Sequence, residues 1–359
     1  MFFERLSVSA GSRLMKSTAQ DFRSLSGWLR LLWLLLLRKI GIAFGQGAAR
    51  NCAYVVNMAD NTVSVIHTAF NVVIATVAVG SSPRWAAITP DGAFVFVTNF
   101  GSGDLSVIDT SSDRIVNTVA ISYQPLGIAI TPNGAKAYVT LPKDDKVAVV
   151  NVLPAGAGVL TGFVNVGMNP GFVAITPNGK LVYVTNFKSS SVSVIDTATD
   201  QVVATLLLGP LFGGPLGPAR IAITPNGEHA YVACVNVSNT VQVEINNGNK
   251  LNVKLWDPPL GQCFGVGIAT VVPPATFHVY ITDTLANGYV SIVADQDFSL
   301  VSSEDPQVGL NPCGVAITGD SSFAYVTCEF ANQVAVIDTQ SRKVVHTINV
   351  GKQPFGITI

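Results

Sequence analysis

Along most of this chain, apolar and polar positions fall into one short pattern that repeats. Its clearest copies are residues 83–119, PRWAAITPDGAFVFVTNFGSGDLSVIDTSSDRIVNTV, and residues 170–206, PGFVAITPNGKLVYVTNFKSSSVSVIDTATDQVVATL. Each opens on a run of small and β-branched residues ending in Thr-Pro-Asx-Gly, where Pro and Gly supply the backbone angles of a tight turn. A second apolar run folds back from that turn, at Tyr54 (YVVN), Phe96 (FVTN), Tyr138 (YVTL), Tyr183 (YVTN), Tyr231 (YVAC), Tyr280 (YITD) and Tyr325 (YVTC). A polar loop then leads into strict alternation, as in Val192, Val194 and Asp196 around Ser193 and Ile195, the period of two expected of a strand. Another short turn gives a fourth, outer strand.

The Thr that ends each first strand recurs at Thr89, Thr131, Thr176, Thr224 and Thr318, with Ala269 in its place in one copy, at steps of 42 to 49 residues. That spacing suits four-stranded propeller blades. The N-terminal copy starts at its second strand, near Ala53, while the chain ends on an isolated first strand at residues 354–359. Pairing of these two halves would close the ring, remove an open sheet edge and tie down both ends. The predicted fold is therefore all-β: a seven-bladed β-propeller of four-stranded antiparallel blades over residues 51–359, closed by its C-terminal strand in the N-terminal blade.

Composition agrees with buried strands and tight turns. Charged residues make up 12% of the chain, about half the usual share, hydrophobic residues 48%, and there are 32 glycines. A net charge of −1, with no Lys or Arg run inside the ring, leaves no electrostatic footprint for nucleic acid.

Residues 1–50 differ in kind. Arg5, Arg13, Lys16, Arg23 and Arg30 precede the apolar run Leu31–Leu37, which Arg38 and Lys39 interrupt before Ile40–Gly45. This has the form of an export leader, with cleavage between Ala43 and Gln46 or a start at Met15, or else of a retained membrane anchor. The expected location is outside the cytosol: periplasm, cell surface or medium, with the membrane reached only through this segment.

The second-strand YVTN, the ITPDG or ITPNG turn and the VSVIDT third strand together resemble the YVTN-repeat family of seven-bladed β-propellers, over the whole of residues 53–359. The resemblance implies an exported or surface-layer protein. The same broad fold group holds lactonase-like propellers, haem d1 and quinoprotein-type domains and WD40 scaffolds, so the resemblance does not name an activity.

In a propeller, the loops leading into first strands and those leaving second strands share one face around the central channel. The residues that follow the recurring Pro there are Arg84 and Trp85, Leu126 and Gly127, Gly171 and Phe172, Ala219 and Arg220, Cys313 and Gly314, and Phe355 and Gly356. Arg84, Trp85, Arg220, Asp283 and Glu329 are the candidate ligand-binding residues. Asn57, Asn99 and Asn186, ending second strands, read first as loop-shaping residues. Asp109, Asp196 and Asp338 each precede a Thr at a turn and read as Asx turns. His67, His229, His278 and His346 are scattered by repeat position, so no metal site and no cofactor is expected.

Two cysteine pairs have favourable positions. The hairpin register that sets Thr318 opposite Phe323 also sets Cys313 opposite Cys328, which predicts a disulfide if the pair is of the close, non-hydrogen-bonded type. Cys234 and Cys263 fall on one face and form the second candidate pair.

With no convergent catalytic set in view, the sequence favours a non-enzymatic binding or surface-structural module. Its channel-face loops would meet a protein, small-molecule or glycan partner. The alternative is a lactonase-like hydrolase or redox accessory propeller, which requires Arg84, Arg220, Asp283 and Glu329 to converge at the channel mouth.

Overall fold

A computed structural model describes residues 51–208, 216–235, 239–245, 255–256, 263–271, 276–283, 288–294, 301 and 306–359. The leader or anchor expected over residues 1–50 lies outside them. No helix among the described residues is long and apolar enough to cross a membrane.

Each repeat folds as an antiparallel sheet, and seven sheets surround one axis as a β-propeller. Blade 2 shows the plan: an inner strand Pro83–Ile88, a second Phe94–Asn99, a third Asp104–Asp109 and an outer strand Arg114–Ala120. Blade 4 repeats it with Pro170–Ile175, Leu181–Asn186, Ser191–Asp196 and Gln201–Leu207. In blade 1, Cys52–Asn57 pairs with Thr62–His67 on one side and with Pro354–Thr358 on the other, so the two ends of the chain close the ring as the truncated repeats require. The fifth blade lacks the VIDT signature yet still forms its third strand, Asn239–Glu244, because the alternation Val241 and Val243 survives. The sixth blade has three described strands, Cys263–Val271, Thr276–Asp283 and Tyr289–Ala294. Residues 209–215 lie outside the described residues, and Leu208 and Leu216 on either side of them are buried between blades 4 and 5.

The Thr-Pro-Asx-Gly turns have a shared internal lock. Thr89 Oγ1 donates to Asp91 Oδ1 and accepts from the Phe94 N–H at 3.0 Å, while Asp91 accepts from the Ala93 N–H at 3.0 Å. Thr131 with Asn133, Thr176 with Asn178 and Thr224 with Asn226 repeat it, as does Thr318 with Asp320 in blade 7, where the turn reads Thr-Gly-Asp-Ser. The expected Asx turns are present as well: Asp109, Asp196 and Asp338 accept backbone N–H groups two or three residues on.

Two sets of hydrogen bonds stitch blades together. In YVTN, the Thr hydroxyl accepts the N–H of a residue at or just before the start of its own inner strand and donates to a carbonyl at the corresponding place in the next blade. Thr98 reaches Leu126 O at 2.7 Å, Thr140 reaches Gly171 O at 2.7 Å, Thr185 reaches Ala219 O at 2.9 Å and Thr327 reaches Phe355 O at 2.9 Å. The Tyr makes the second stitch, toward the outer turn of the next blade. Tyr138 donates to Asp200 Oδ1 at 2.6 Å and Tyr325 to Asn71 Oδ1 at 2.6 Å. All seven aromatic residues of this series are fully buried, so each hydroxyl needs a partner to offset its desolvation. Blade 2 carries Phe96 instead, and the turn it faces, Leu153–Ala157, has no Asx.

The YVTN Asn is structural. Asn57, Asn99 and Asn186 are completely buried and donate to hydroxyls of their own third strand, Ser64, Ser106 and Ser193. A glycine covers each amide: any Cβ at Gly80, Gly167 or Gly351 would overlap the side chain of Asn99, Asn186 or Asn57.

The cysteine register differs from expectation. Ile317 pairs with Ala324 and Val315 with Val326, but a bulge between Pro312 and Val315 sets Pro312, not Cys313, opposite Cys328. The same irregularity follows Pro83, Pro170, Pro218 and Pro354. It inserts a residue and turns the neighbouring side chain away. Cys313 and Cys328 are thus buried free thiols and the expected bridge is absent. Of the pair Cys234–Cys263, the Cys263 side chain lies outside the described residues, and no disulfide occurs among those described.

Candidate functional site at the channel mouth

The bulges that separate the cysteines also build the mouth of the channel. Opposite each recurring Pro, the second strand ends; immediately after it, the inner strand swings its next side chains toward the axis. Glycine at Gly314 and Gly356 permits close approach between neighbouring inner strands, since a Cβ there would meet Phe355 O and Arg84 O respectively at 2.6 Å. Side chains next to these glycines and from blades 2, 3 and 4 fill the space that remains.

Phe172, Cys313 and Phe355 form a buried cluster with Trp85 and Leu126 packed against it. Arg220, only 3% exposed, lies inside this group. Its guanidinium carbon sits 4.0 Å from the centre of the Trp85 ring, 4.3 Å from Phe172 and 5.1 Å from Phe355. Trp85 and Phe172 meet edge to face at 5.1 Å. Burial lowers the Arg220 pKa to about 9, with the neighbouring Cys313 acting the other way. Arg220 is therefore a caged cation plugging the channel, held by aromatic faces whose negative quadrupoles favour it.

Arg84 is half-buried above that cage, 5.3 Å from the Phe355 ring and 4.9 Å from Phe100. Burial lowers its pKa, and the charge of Glu329 opposes that shift. Glu329 follows the end of blade 7's second strand. One of its oxygens, Oε2, accepts from Asn311 Nδ2 at 2.7 Å and from the Cys313 thiol at 3.4 Å. Burial pushes the Cys313 pKa strongly upward, Arg220 counteracts this and Glu329 adds to it. At neutral pH Cys313 is consequently a thiol donor that helps orient a carboxylate, not a thiolate.

Glu329 also lines a cleft of about 280 Å³ between blades 7 and 1, with Ala59, Phe330, Asn332, Lys352 and Gln353. Of the residues singled out from sequence, Arg84, Trp85, Arg220 and Glu329 occupy this end of the channel. Asp283 ends the corresponding second strand of blade 6, opposite Cys263, with its side chain outside the described residues. Sequence reasoning missed Asn311, Lys352 and Phe330, although Asn311 and Lys352 stand in the loops leading to Pro312 and Pro354. Cys313 was read as a disulfide partner. Its position beside the recurring Pro was the available signal for a place at the mouth. His67, His229, His278 and His346 lie on second, third or outer strands, and no cluster of potential metal ligands forms among the described residues.

Comparison with known proteins places the chain within this fold. The profile of YNCE-like β-propellers matches residues 270–359. No curated protein sequence matches the chain. Among solved structures, the periplasmic gluconolactonase PpgL of Pseudomonas aeruginosa is similar at 17% identity and a TM-score of 0.66, over 85% of this chain and 98% of that one. A 6-phosphogluconolactonase-like protein of Bacteroides fragilis gives 13% identity and a TM-score of 0.69, over 87% and 98%. Hydrazine synthase of Kuenenia stuttgartiensis gives 20% identity and a TM-score of 0.61, over 77% and 89%. These similar structures bear enzyme names, which corrects the sequence-based expectation of a non-enzymatic module in favour of its alternative. The chain is a seven-bladed β-propeller, similar over residues 270–359 to the YNCE-like propellers and built on a fold that lactonases share.

Proposed function

We propose that this propeller is a lactonase-like hydrolase that opens a small, hydroxylated or anionic lactone at the channel mouth. The observation that carries this reading is the placement of Glu329. Its carboxylate is fixed through one oxygen by Asn311 and Cys313, lies in the electrostatic range of Arg84 and borders a cleft sized for a small molecule. In this reading Glu329 removes a proton from water as it attacks the lactone carbonyl, then returns that proton to the departing ring oxygen. Arg84 and Lys352 hold the oxyanion or an acidic substituent, and a cation facing the site of developing charge stabilises the transition state more than the ground state.

The similar proteins named as gluconolactonase and 6-phosphogluconolactonase-like motivate the substrate class. The basic and apolar segment at residues 1–50, together with the periplasmic location in the name of the similar gluconolactonase, supports an exported protein.

The test is hydrolysis of gluconolactone and its 6-phosphate by purified protein, against the uncatalysed rate. Glu329→Gln is expected to lower kcat by roughly a hundredfold or more, the range for loss of a general base, with unfolding unchanged. Activity equal in the variant and the parent, or no rate above background with any lactone, would rule the reading out.

A further inference from the structure

The seam between blades 6 and 7 differs from the two seams at which a tyrosine hydroxyl meets an Asx of the next blade. At the seam between blades 3 and 4, Asp200 projects from the outer turn of blade 4 and accepts from the Tyr138 hydroxyl at 2.6 Å and from Lys136 Nζ at 2.7 Å. Lys136 precedes Tyr138 by two residues, so both point to the same side of the strand. Asn71 plays the acceptor's part at the seam between blades 7 and 1. The turn position is left-handed in blades 1, 2 and 4: Asn71 has φ 54°, Asp113 54° and Asp200 55°. Asn and Asp tolerate that conformation best.

In blade 7 the equivalent residue is Arg342, also left-handed at φ 58°. Facing it from blade 6 are Tyr280 and, two residues earlier, His278 in the place of Lys136. Tyr280 is completely buried and His278 is 8% exposed. The Tyr280 hydroxyl and His278 Nδ1 make no hydrogen bond among the described residues. Arg342 donates through Nη1 to Val301 O at 2.6 Å, which keeps it at the seam. Its charge acts on both buried groups, and Asp338 also acts on Tyr280. Where the sister seam holds a carboxylate bonded to both a tyrosine and a cation, this one holds a tyrosine, a histidine and a guanidinium, with no carboxylate hydrogen-bonded to the Tyr280 hydroxyl or His278 Nδ1 among the described residues.

We propose that this seam is a binding site for an external oxyanion, bound by the Arg342 guanidinium, the Tyr280 hydroxyl and the His278 imidazole in the position that the Asp200 carboxylate fills between blades 3 and 4. A planar guanidinium suits a carboxylate or a phosphate equally. A non-Gly, non-Asx residue held in the left-handed region at a position its sister blades give to Asn or Asp carries a local cost, the kind of outlier that marks a functional position. The site is remote from the channel mouth and does not depend on the chemistry there.

The test uses the full chain, titrated separately with sodium phosphate and sodium acetate at an ionic strength held constant with chloride. The readouts are the His278 imidazole resonances and the thermal midpoint. A saturating shift in both is expected for the wild type, since a ligand that binds the folded state raises its stability. Saturation by phosphate alone assigns a phosphate-bearing ligand, and saturation by acetate alone a carboxylate. Arg342→Asp restores the internal carboxylate; this variant is expected to have a higher midpoint without added anion and to lose the response. Tyr280→Phe is expected to weaken the response several-fold while keeping the fold. No saturating shift with either anion, or the same shift in wild type and both variants, which would mean an adventitious ion only, overturns the proposal.

Discussion

The Tyr138 hydroxyl donates to Asp200 Oδ1 at 2.6 Å across the boundary between blades 3 and 4, and Lys136 holds the same carboxylate from beside it. A repeat residue that looks like core filling is therefore also a bond between neighbours. Burial and the hydrogen bond to Asp200 together drive the Tyr138 pKa upward, so the hydroxyl remains a donor throughout the neutral range.

Tyr138→Phe removes this bond and leaves Asp200 with Lys136 alone. The expected loss is about 2 kcal/mol, the usual scale for a hydrogen bond to a charged group, read as a lower urea midpoint with an unchanged slope. The reverse change, Phe96→Tyr, is expected to gain nothing and to cost about 1 kcal/mol or more, because the turn it faces offers no Asx acceptor for a buried hydroxyl.

Removal of residues 354–359 takes away the inner strand of blade 1, including the buried Phe355 and Ile357. Each buried side chain of that size contributes about 1.5–3 kcal/mol, and an unpaired edge is exposed as well. Since total stability is about 5–15 kcal/mol, the truncated chain is expected to lack a single cooperative melting transition in calorimetry. An unchanged transition would show that the ring does not need closure.

Acid should weaken the turns in a residue-specific way. Asp91 and Asp320 are held below the ordinary carboxylate value first by hydrogen bonds from Thr89 and Thr318 and then by backbone N–H groups. A depressed folded-state pKa contributes stability above the unfolded value of 3.8, and that contribution is lost as pH falls through the lower folded value. Stability is thus expected to fall below about pH 4, on this linkage. Asn133, Asn178 and Asn226 make the same turn without a titrating group. The double variant Asp91→Asn with Asp320→Asn should keep neutral stability and flatten the acid limb, measured by urea midpoints from neutral to acidic pH.

Cys313 and Cys328 are expected to be unreactive toward iodoacetamide in the native state and fully alkylated after unfolding without reductant. Burial raises both thiol pKa values, that of Cys328 to about 12. Intact mass with and without prior reduction measures this directly; alkylation of the two that required a reductant would restore the disulfide.

Periodicity and turn chemistry were enough to determine the blade count, the order of strands and the closing role of residues 354–359. Those features depend on local rules: alternation decides which face of a strand is buried, and a Thr with an Asx two residues on fixes its hairpin by bonds that span five residues. What lay beyond the sequence depends on one-residue shifts of strand register and on neighbours distant in the chain. A one-residue bulge after Pro312 moved Cys313 from its expected partner and delivered it to Glu329, sixteen residues on. Arg220 is polar and stood among candidate ligand contacts, but three aromatic rings from blades 1, 2 and 4 converge on it and make it part of the channel's core. Arg342 stands in an outer turn, and only the packing of blade 7 on blade 6 sets its charge against Tyr280 and His278. Local hydrogen bonding is written in adjacent residues, whereas the electrostatic character of a side chain belongs to whatever the finished ring packs around it.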